Sequence, residues 1–268
     1  TQVALATVLL AAGGLLVRSF AELTGTESGL RTASVAAVSL YLPGARYPDG
    51  ARIRAFHESL KERLEARPDV ASAAAVSFLP FTPARSIYDL EVEGRGGPED
   101  AGAEVIFATP GYFATMGVPV LEGRAIEATD AEGGLPVVVL SQALARRHWP
   151  EGDAVGSRVR LEDDTWRTVV GIAGDVRQHG LAAAPASQLF VPYAQAGAKW
   201  PFGMAVIVRG QGGAAAVAPA VRAVVAELDP GAAVSAVRPL DELRADSVAG
   251  PRLRAILIGL FAAAALLM

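Results

Sequence analysis

The side chains that could bind a metal do not stand at the spacing that metal binding requires. The three histidines, His57, His148 and His179, are far apart in the sequence. A zinc-binding H-E-x-x-H helix would follow His57-Glu58 with a second histidine, but Lys61 occupies that position. We expect His57 to border the apolar face of its helix, and His148 and His179 to be ordinary surface or turn residues. The sequence therefore predicts no metal site.

The carboxylates and lysines do not indicate catalysis or nucleotide binding either. The adjacent acidic pairs at 163–164 and 99–100 lie among turn-forming residues, where a solvated charge is the usual outcome. A phosphate-binding P-loop needs a lysine directly after a glycine, whereas Lys61 and Lys199 follow a leucine and an alanine. No G-x-S-x-G nucleophile motif is present. We predict no catalytic and no cofactor-binding residues, and no cofactor.

Composition narrows the classes of partner. The chain has 268 residues, of which 51% are hydrophobic, and a net charge of −4. Nucleic acid is not an indicated partner, because no run rich in lysine and arginine occurs. The chain has no cysteine, which excludes disulfides and thiolate chemistry.

Two similar strand–helix–strand units stand near the two ends of the chain. The first has a strand at 34–42, a helix at 51–66 and a strand at 70–78. The second has a strand at 204–208, a helix at 217–228 and a strand at 234–237. In each helix the apolar residues recur at a helical period. Two such βαβ units commonly form one split-βαβ, ferredoxin-like layer, so we predict an α+β fold.

The middle segment, residues 83–201, is rich in short strands and turns. One helix interrupts it, and Ser141 is placed to cap the start of that helix, which we expect to run to Trp149 before Pro150. We predict an inserted β-rich subdomain.

Apolar runs without charge occupy residues 3–17 and 255–268. Each is shorter than the roughly 20 residues that a bilayer-spanning helix needs. Because one run opens the sequence and the other closes it, we interpret them as the end of one transmembrane helix and the start of the next. An amphipathic helix at 240–254 is expected to connect the domain to the second run. Two core helices of a soluble protein are the alternative interpretation.

Several segments carry a family resemblance in the same order along the chain. The run TPGYFATMGVP at 109–119, with LEGR at 121–124, resembles the signature of MacB/FtsX-type ABC-transporter permeases. The runs VVVLSQALARRHWPEGDAVG at 137–156, VVGIAGDVRQHGL at 169–181, FVPYAQ at 190–195 and LVRSF at 16–20 are also similar to that family. At 154–155, Ala-Val replaces the commoner Pro-Ile. In structural terms, the prolines and glycines of 109–119 are expected to form turns, and Tyr112 and Phe113 to pack in the core.

The resemblance implies a MacB-like periplasmic core domain with flanking transmembrane fragments. The division would be a transmembrane end at 1–20, a first βαβ half at 21–82, a β-rich lobe at 83–201, a second βαβ half at 202–239, a connecting helix at 240–254 and a transmembrane start at 255–268. This porter-type domain would lie outside the cytoplasm and be anchored in the inner membrane.

The resemblance also implies a function and a set of partners. The domain would couple cytoplasmic ATP hydrolysis to export or other extracytoplasmic work by mechanotransmission, without being an enzyme itself. Its partners would be a separate cytoplasmic ABC ATPase, a second permease half or an identical copy, the lipid bilayer and a periplasmic adaptor or substrate protein.

Two other functions remain compatible with the residues alone. One is an extracytoplasmic binding or scaffold module that recruits a partner protein without transport. The other is a soluble enzyme with two core helices at its ends, although the chemistry for it is missing.

Overall fold

The computed structural model describes Gly14, Arg18, Leu257 and the ranges 25–94, 102–163, 165–197 and 204–249. Its strands are β1 (Val35–Tyr41), β2 (Val70–Val76), β3 (Ile87–Tyr88), β4 (Glu91–Val92), β5 (Ala103–Ala108), β6 (Val120–Gly123), β7 (Val137–Ser141), β8 (Arg158–Arg160), β9 (Trp166–Ala173), β10 (Gln188–Pro192), β11 (Ala205–Gly210) and β12 (Ala233–Pro239). Its α-helices are α1 (Gly50–Glu65), α2 (Tyr112–Met116), α3 (Gln142–His148), α4 (Ala218–Leu228) and α5 (240–249).

The first and last parts of the chain form the arrangement that the two βαβ units predict. Strands β12, β1, β11 and β2 lie side by side in that order, and each neighbouring pair is antiparallel. This is the order of a split βαβ layer, with α1 connecting β1 to β2 and α4 connecting β11 to β12. The start of α1 is fixed by Asp49, whose side chain accepts a hydrogen bond of 2.9 Å from the backbone N–H of Arg52.

The strands of the middle segment extend the same sheet. Val76 of β2 pairs with Ala108 of β5, and the order then continues β5-β10-β7-β9-β8-β4, while β3 joins β5 and β6 joins β9. Two backbone bonds strengthen the β2–β5 junction, from Ser77 N to Phe107 O (2.9 Å) and from Thr109 N to Ala75 O (3.0 Å). Within the described residues, the result is one mixed sheet of 12 strands. A separate β-rich subdomain at 83–201 stays a prediction.

Both faces of this sheet are covered by helices and loops. In β11, Val206 and Val208 belong to the core on one face, and Ile207 belongs to the core on the other. The same alternation recurs along β1, β2, β5, β7 and β10. Helices α1, α3 and α4 cover the first face, and α2 and α5 cover the second. Because both faces are buried, these strands carry apolar residues at successive positions and not only at alternate ones.

The two apolar runs lie outside the described residues, except for Gly14 and Leu257. In the part of the chain that the structure describes, no helix combines the length and the apolar character that crossing a bilayer requires.

Candidate functional site: where the chain enters and leaves the domain

The entry segment, residues 25–34, leads the chain into β1 and is held by close backbone contacts. Its Arg31 N–H donates to the carbonyl of Met116 at 2.8 Å, and its Ser28 carbonyl accepts from Arg177 N–H at 3.0 Å. Gly29 has φ +77°, and a Cβ there would lie 2.0 Å from the carbonyl oxygen of Asp175. Only glycine therefore fits this approach of the entry segment to the loop after β9.

A single arginine ties the entry segment to the sheet. The guanidinium of Arg209, at the end of β11, donates to the carbonyls of Arg31 (2.7 Å), Ala33 (2.9 Å) and Thr115 (2.7 and 3.0 Å). Burial lowers the pKa of Arg209, and the positive charge of Arg31 lowers it further. The group stays a cation at neutral pH, since arginine normally titrates far above it. The planar guanidinium group has five N–H donors, so it can donate to several carbonyl groups at once.

The exit element is α5, which follows β12 directly. Pro239 is the last residue of the strand and 240 is the first residue of the helix. Leu240 is fully buried, and Leu243 and Val248 pack against the same core. A Cβ built on Gly180 would lie 3.2 Å from the Cβ of Ser247, so the helix rests closely on the loop after β9.

The entry segment and α5 lie side by side. The hydroxyl of Thr32 donates to the carboxylate of Asp241 at 2.5 Å. Both segments, together with Gly117 and Pro119 of the turn after α2, line a groove of about 630 Å³. The entry segment and α5 therefore contact the domain at one place.

Comparison with known proteins defines the family. The model of the MacB-like periplasmic core domain matches residues 3–240. The chain belongs to this family. It is accordingly a periplasmic domain of a MacB-like ABC-transporter permease. The soluble-enzyme alternative does not fit this membership, because permease domains of this kind are not themselves enzymes.

One solved structure shows the same fold, and two others are similar to the chain. The periplasmic region of MacB from Actinobacillus actinomycetemcomitans aligns with a TM-score of 0.54 at 14% identity, over 84% of this chain and 97% of that one. A domain of a putative permease from Porphyromonas gingivalis (TM-score 0.47, 16% identity, 78% of this chain and 91% of that one) is also similar. So is the extracellular domain of the noncanonic ABC-type transporter YknZ from Gram-positive bacteria (TM-score 0.47, 15% identity, 75% and 100%). No curated protein matches the chain.

The signature of this MacB-like domain has the structural role expected of it. Gly111 and Gly117 flank α2 with φ +92° and +68°, and Tyr112 and Phe113 are buried between them. In β9, a Cβ on Gly171 would lie 2.1 Å from the carbonyl oxygen of Arg124, at a position where the β7–β9 register shifts. These residues pack the face on which the entry segment and α5 rest.

Two of the three histidines are buried, one as predicted and one against the prediction. His57 borders the core, as expected, and is only 4% exposed. The surface assignment of His148 is wrong, because α3 turns it inward and leaves it 4% exposed. His179 lies in a turn, as predicted, and its Nε2 contacts the carboxylate of buried Glu104. His148 follows buried Leu144 by four residues on α3, and this helical spacing is the signal that could have placed it in the core.

Of the two acidic pairs, only Asp163 lies within the described residues. Asp163 pairs with the buried guanidinium of Arg167. Hydrogen bonds from that guanidinium keep the pKa of Asp163 below its usual value, against the opposing effect of burial. Asp164 and the pair at 99–100 lie outside the described residues. In the described ranges, no three histidine, aspartate or glutamate side chains stand close enough together to hold a metal ion.

Arg209 and the entry segment are the features that sequence reasoning missed. The predicted strand ended at 208, so Arg209 was left outside it. The only signal was a charged residue at the end of an otherwise apolar strand. Its hydrogen-bond partners among the described residues are all backbone carbonyl groups, which sequence patterns do not reveal.

Proposed function

We propose that this domain transmits motion between membrane helices and the extracytoplasmic space in an ABC-type permease. ATP hydrolysis on a separate cytoplasmic ATPase would displace the helices, and the domain would convert that displacement into export or other work outside the cytoplasm. The chemistry of hydrolysis would therefore lie entirely on the partner.

The observation that carries the proposal is the adjacency of the entry segment and α5. A domain held between two membrane helices needs both connections on its membrane-facing side. Here Thr32 of the entry segment bonds Asp241 of α5, and both elements rest on the loop after β9. The apolar runs at 3–17 and 255–268 lie directly beyond these two elements.

The continuity of β12 and α5 supports mechanical coupling. A displacement of α5 acts directly on an edge strand of the sheet, because no loop separates strand from helix. In this proposal the second βαβ half at 202–239 receives the motion, the lobe at 83–201 presents a surface to an adaptor or substrate protein, and a second permease copy completes the assembly in the inner membrane.

Location is tested first, with a single cysteine. The chain has no cysteine of its own, and Glu151 is exposed in a turn. In spheroplasts that express the complete permease, a membrane-impermeant maleimide should label the Glu151→Cys variant without detergent. Labelling that requires lysis would place the domain in the cytoplasm and contradict the proposal.

Coupling is tested next, in the permease assembled with its ATPase in lipid nanodiscs. Spin labels at position 151 of the two permease copies should report a distance that changes when ATP binds. Unchanged distances in a complex that still hydrolyses ATP would contradict mechanotransmission and favour a passive scaffold.

A further inference from the structure

The loop after β9, residues 174–187, is buried along much of its length. It connects β9 to β10, and its Val176, Gln178 and Leu181 are at most 3% exposed. Loops normally run over the surface of a protein, where they have few neighbours. A buried loop has neighbours on several sides, so it can connect parts of the molecule that do not otherwise meet.

One side of this loop contacts both the entry segment and α5. The backbone N–H of Arg177 donates to the carbonyl of Ser28 in the entry segment at 3.0 Å. Gly29 of the same segment lies against the carbonyl of Asp175, and Gly180 lies against α5. A displacement of the entry segment or of α5 therefore acts directly on the loop.

Other groups of the same loop are bonded to the middle segment. The carboxylate of Asp175 accepts a hydrogen bond of 2.6 Å from the backbone N–H of Ala143, in the first turn of α3. The Nε2 atom of His179 contacts the carboxylate of Glu104 in β5. Residues 175–180 therefore join the entry segment and α5 to two elements of the middle segment.

The loop also holds the β2–β3 link, residues 77–86, which leads the chain from the first βαβ half into the middle segment. The carbonyl of Gln178 accepts from the N–H of Phe81 at 2.7 Å, and its Nε2 donates to the carbonyl of Phe78 at 3.2 Å. The loop therefore bonds the backbone of this link at two points.

Phe81 is the strained residue of the β2–β3 link. Its φ is +65°, a backbone conformation that bulky side chains rarely adopt. Such a conformation raises the free energy and persists only where the surrounding contacts hold it. Here the ring is 9% exposed, and the N–H is the group that is bonded to Gln178. Because loss of that bond would favour a relaxed backbone, the link has a second arrangement available when the loop moves.

We propose that the loop after β9 relays a displacement of the entry segment or of α5 to the middle segment by releasing the strained turn at Phe81. Asp175, Gln178 and His179 are the positioning residues of this relay. The inference rests on the proposed function, and it adds a route of transmission that does not pass through the edge strand β12.

The first experiment displaces the loop from the entry segment and measures the β2–β3 link. Gly29→Ala places a Cβ 2.0 Å from the carbonyl oxygen of Asp175, so the loop must shift. In the full chain in detergent micelles, hydrogen exchange of the Phe81 amide should become at least about tenfold faster. Gly133→Ala is the matched control, because Gly133 has φ +79° against +77° at Gly29 and has no neighbour within 4 Å. It imposes similar backbone strain and should leave the exchange of Phe81 unchanged.

Two results of this experiment would overturn the relay. One is faster exchange that is confined to residues 25–34 and the loop, with Phe81 unchanged. The other is an equal acceleration for Phe81 and for amides of β11, which would indicate a general loss of stability. If Gly29→Ala folds poorly, Ser247→Val enlarges a side chain of α5 that faces Gly180, and it should accelerate the exchange of Phe81 in the same way.

The second experiment uses the permease and its ATPase in nanodiscs, with spin labels either at position 151 or at exposed Glu62 on α1. The double change Gln178→Met and His179→Phe removes side-chain contacts of the loop with Phe78 and Glu104. It should reduce the ATP-dependent distance change at position 151 by at least about half and leave the change at position 62 intact.

Gln195→Met is the control for the second experiment. It removes bonds to Val137 and Leu135 that lie wholly within the middle segment, and it should affect neither distance change. Equal reductions at positions 151 and 62 in the double variant would contradict the relay. A wild-type complex without any distance change would contradict the proposed function instead, and the exchange of Phe81 then decides whether the loop acts as a relay.

Discussion

At the scale of single residues, Arg209 holds the entry segment in place through carbonyl groups. Its guanidinium reaches the carbonyls of Arg31, Ala33 and Thr115, which belong to two different parts of the chain. Changing Arg209 to methionine keeps the apolar stem and removes every donor. We expect a loss of about 2 kcal/mol in the free energy of unfolding. We also expect faster amide hydrogen exchange in residues 25–34.

A matched change separates this role from a general effect of charge. Arg222 is exposed on α4, and Arg222→Met should leave the stability and the exchange rates nearly unchanged. Arg209→Lys should recover only part of the loss, because an ammonium group cannot reproduce the planar fork. Similar losses for Arg209→Met and Arg222→Met would show that the carbonyl bonds contribute nothing specific.

His57 makes the stability of the domain depend on pH. Burial lowers its pKa to about 4 from a usual 6.5, so the unfolded chain binds a proton in this interval and the folded chain does not. Stability should therefore fall as the pH is lowered from 6.5 to 4, by about 3 kcal/mol in all. Above pH 6.5 both states are neutral at this residue and the effect is absent.

The measurement is urea unfolding of the wild type and of His57→Phe at several pH values. The difference in unfolding free energy between the two proteins should change across pH 4 to 6.5 and stay constant above it. Carboxylates with lowered pKa values, such as Asp130 and Asp229, act at lower pH and are common to both proteins. Parallel pH profiles would mean that His57 is not buried as the structure has it.

At the scale of secondary structure, periodic elements could be predicted and contact-dependent ones could not. Helix α1 was predicted within one residue at each end, because its apolar residues recur at a helical period. The cap of α3 was also correct, since Ser141 accepts a bond from Leu144 N–H. Helix α2 was missed because its 5 residues are too few to show a period, and its ends depend on left-handed glycines.

The candidate site was harder to predict than the fold. Leu240 and Leu243 gave an amphipathic signal, so the helix at α5 was expected, and the described part of it runs over 240–249. Its place beside the entry segment depends on a contact between Thr32 and Asp241, which are more than 200 positions apart. The pattern of neighbouring residues in the sequence gives no information about a contact between such distant positions.

A disulfide can test this adjacency directly. With Thr32→Cys and Asp241→Cys in the cysteine-free chain, mild oxidation should form an intramolecular bond that speeds migration on a non-reducing gel. The two side chains already meet in the wild type, so we expect the bond to form with a small local adjustment. Complete cross-linking within minutes is the expected result.

The control pairs the same first cysteine with Asp246→Cys. Asp246 lies on α5 and pairs with Arg238 of β12, and among the described contacts it has none with Thr32. We expect little cross-linking in that variant. Equal yields for the two pairs would indicate that α5 is not docked as described.

At the scale of the whole molecule, the sheet and both cores cross the boundary between the βαβ halves and the middle segment. The core on the α1 face contains Leu60 and Val225 from the halves and Leu144 from the middle segment. We therefore expect one cooperative unfolding unit. Native-state hydrogen exchange in urea should give the same opening free energy for slow amides of α1 and of α3.

The β2–β5 junction provides the matching variant. The Thr109 hydroxyl accepts a 2.8 Å bond from Ala75 N–H at this junction. Thr109→Val should lower the opening free energies of α1 and of α3 together by about 1 kcal/mol. Thr109→Ser retains the hydroxyl group and should leave both opening free energies unchanged. Two separate transitions would instead support an independent subdomain at 83–201.

The absence of a loop between β12 and α5 also limits how this region can change in length. Each residue added at the Pro239–Leu240 step would rotate the helix by about 100° and advance it by about 1.5 Å. One insertion would turn Leu240 and Leu243 away from the core that they now contact. Three or four inserted residues would point Leu240 and Leu243 toward the core again, but they would displace the far end of the helix by about 5 Å. The number of residues between β12 and α5 therefore sets two quantities. One is the rotation of α5 about its own axis, and the other is the distance from the sheet to the far end of α5.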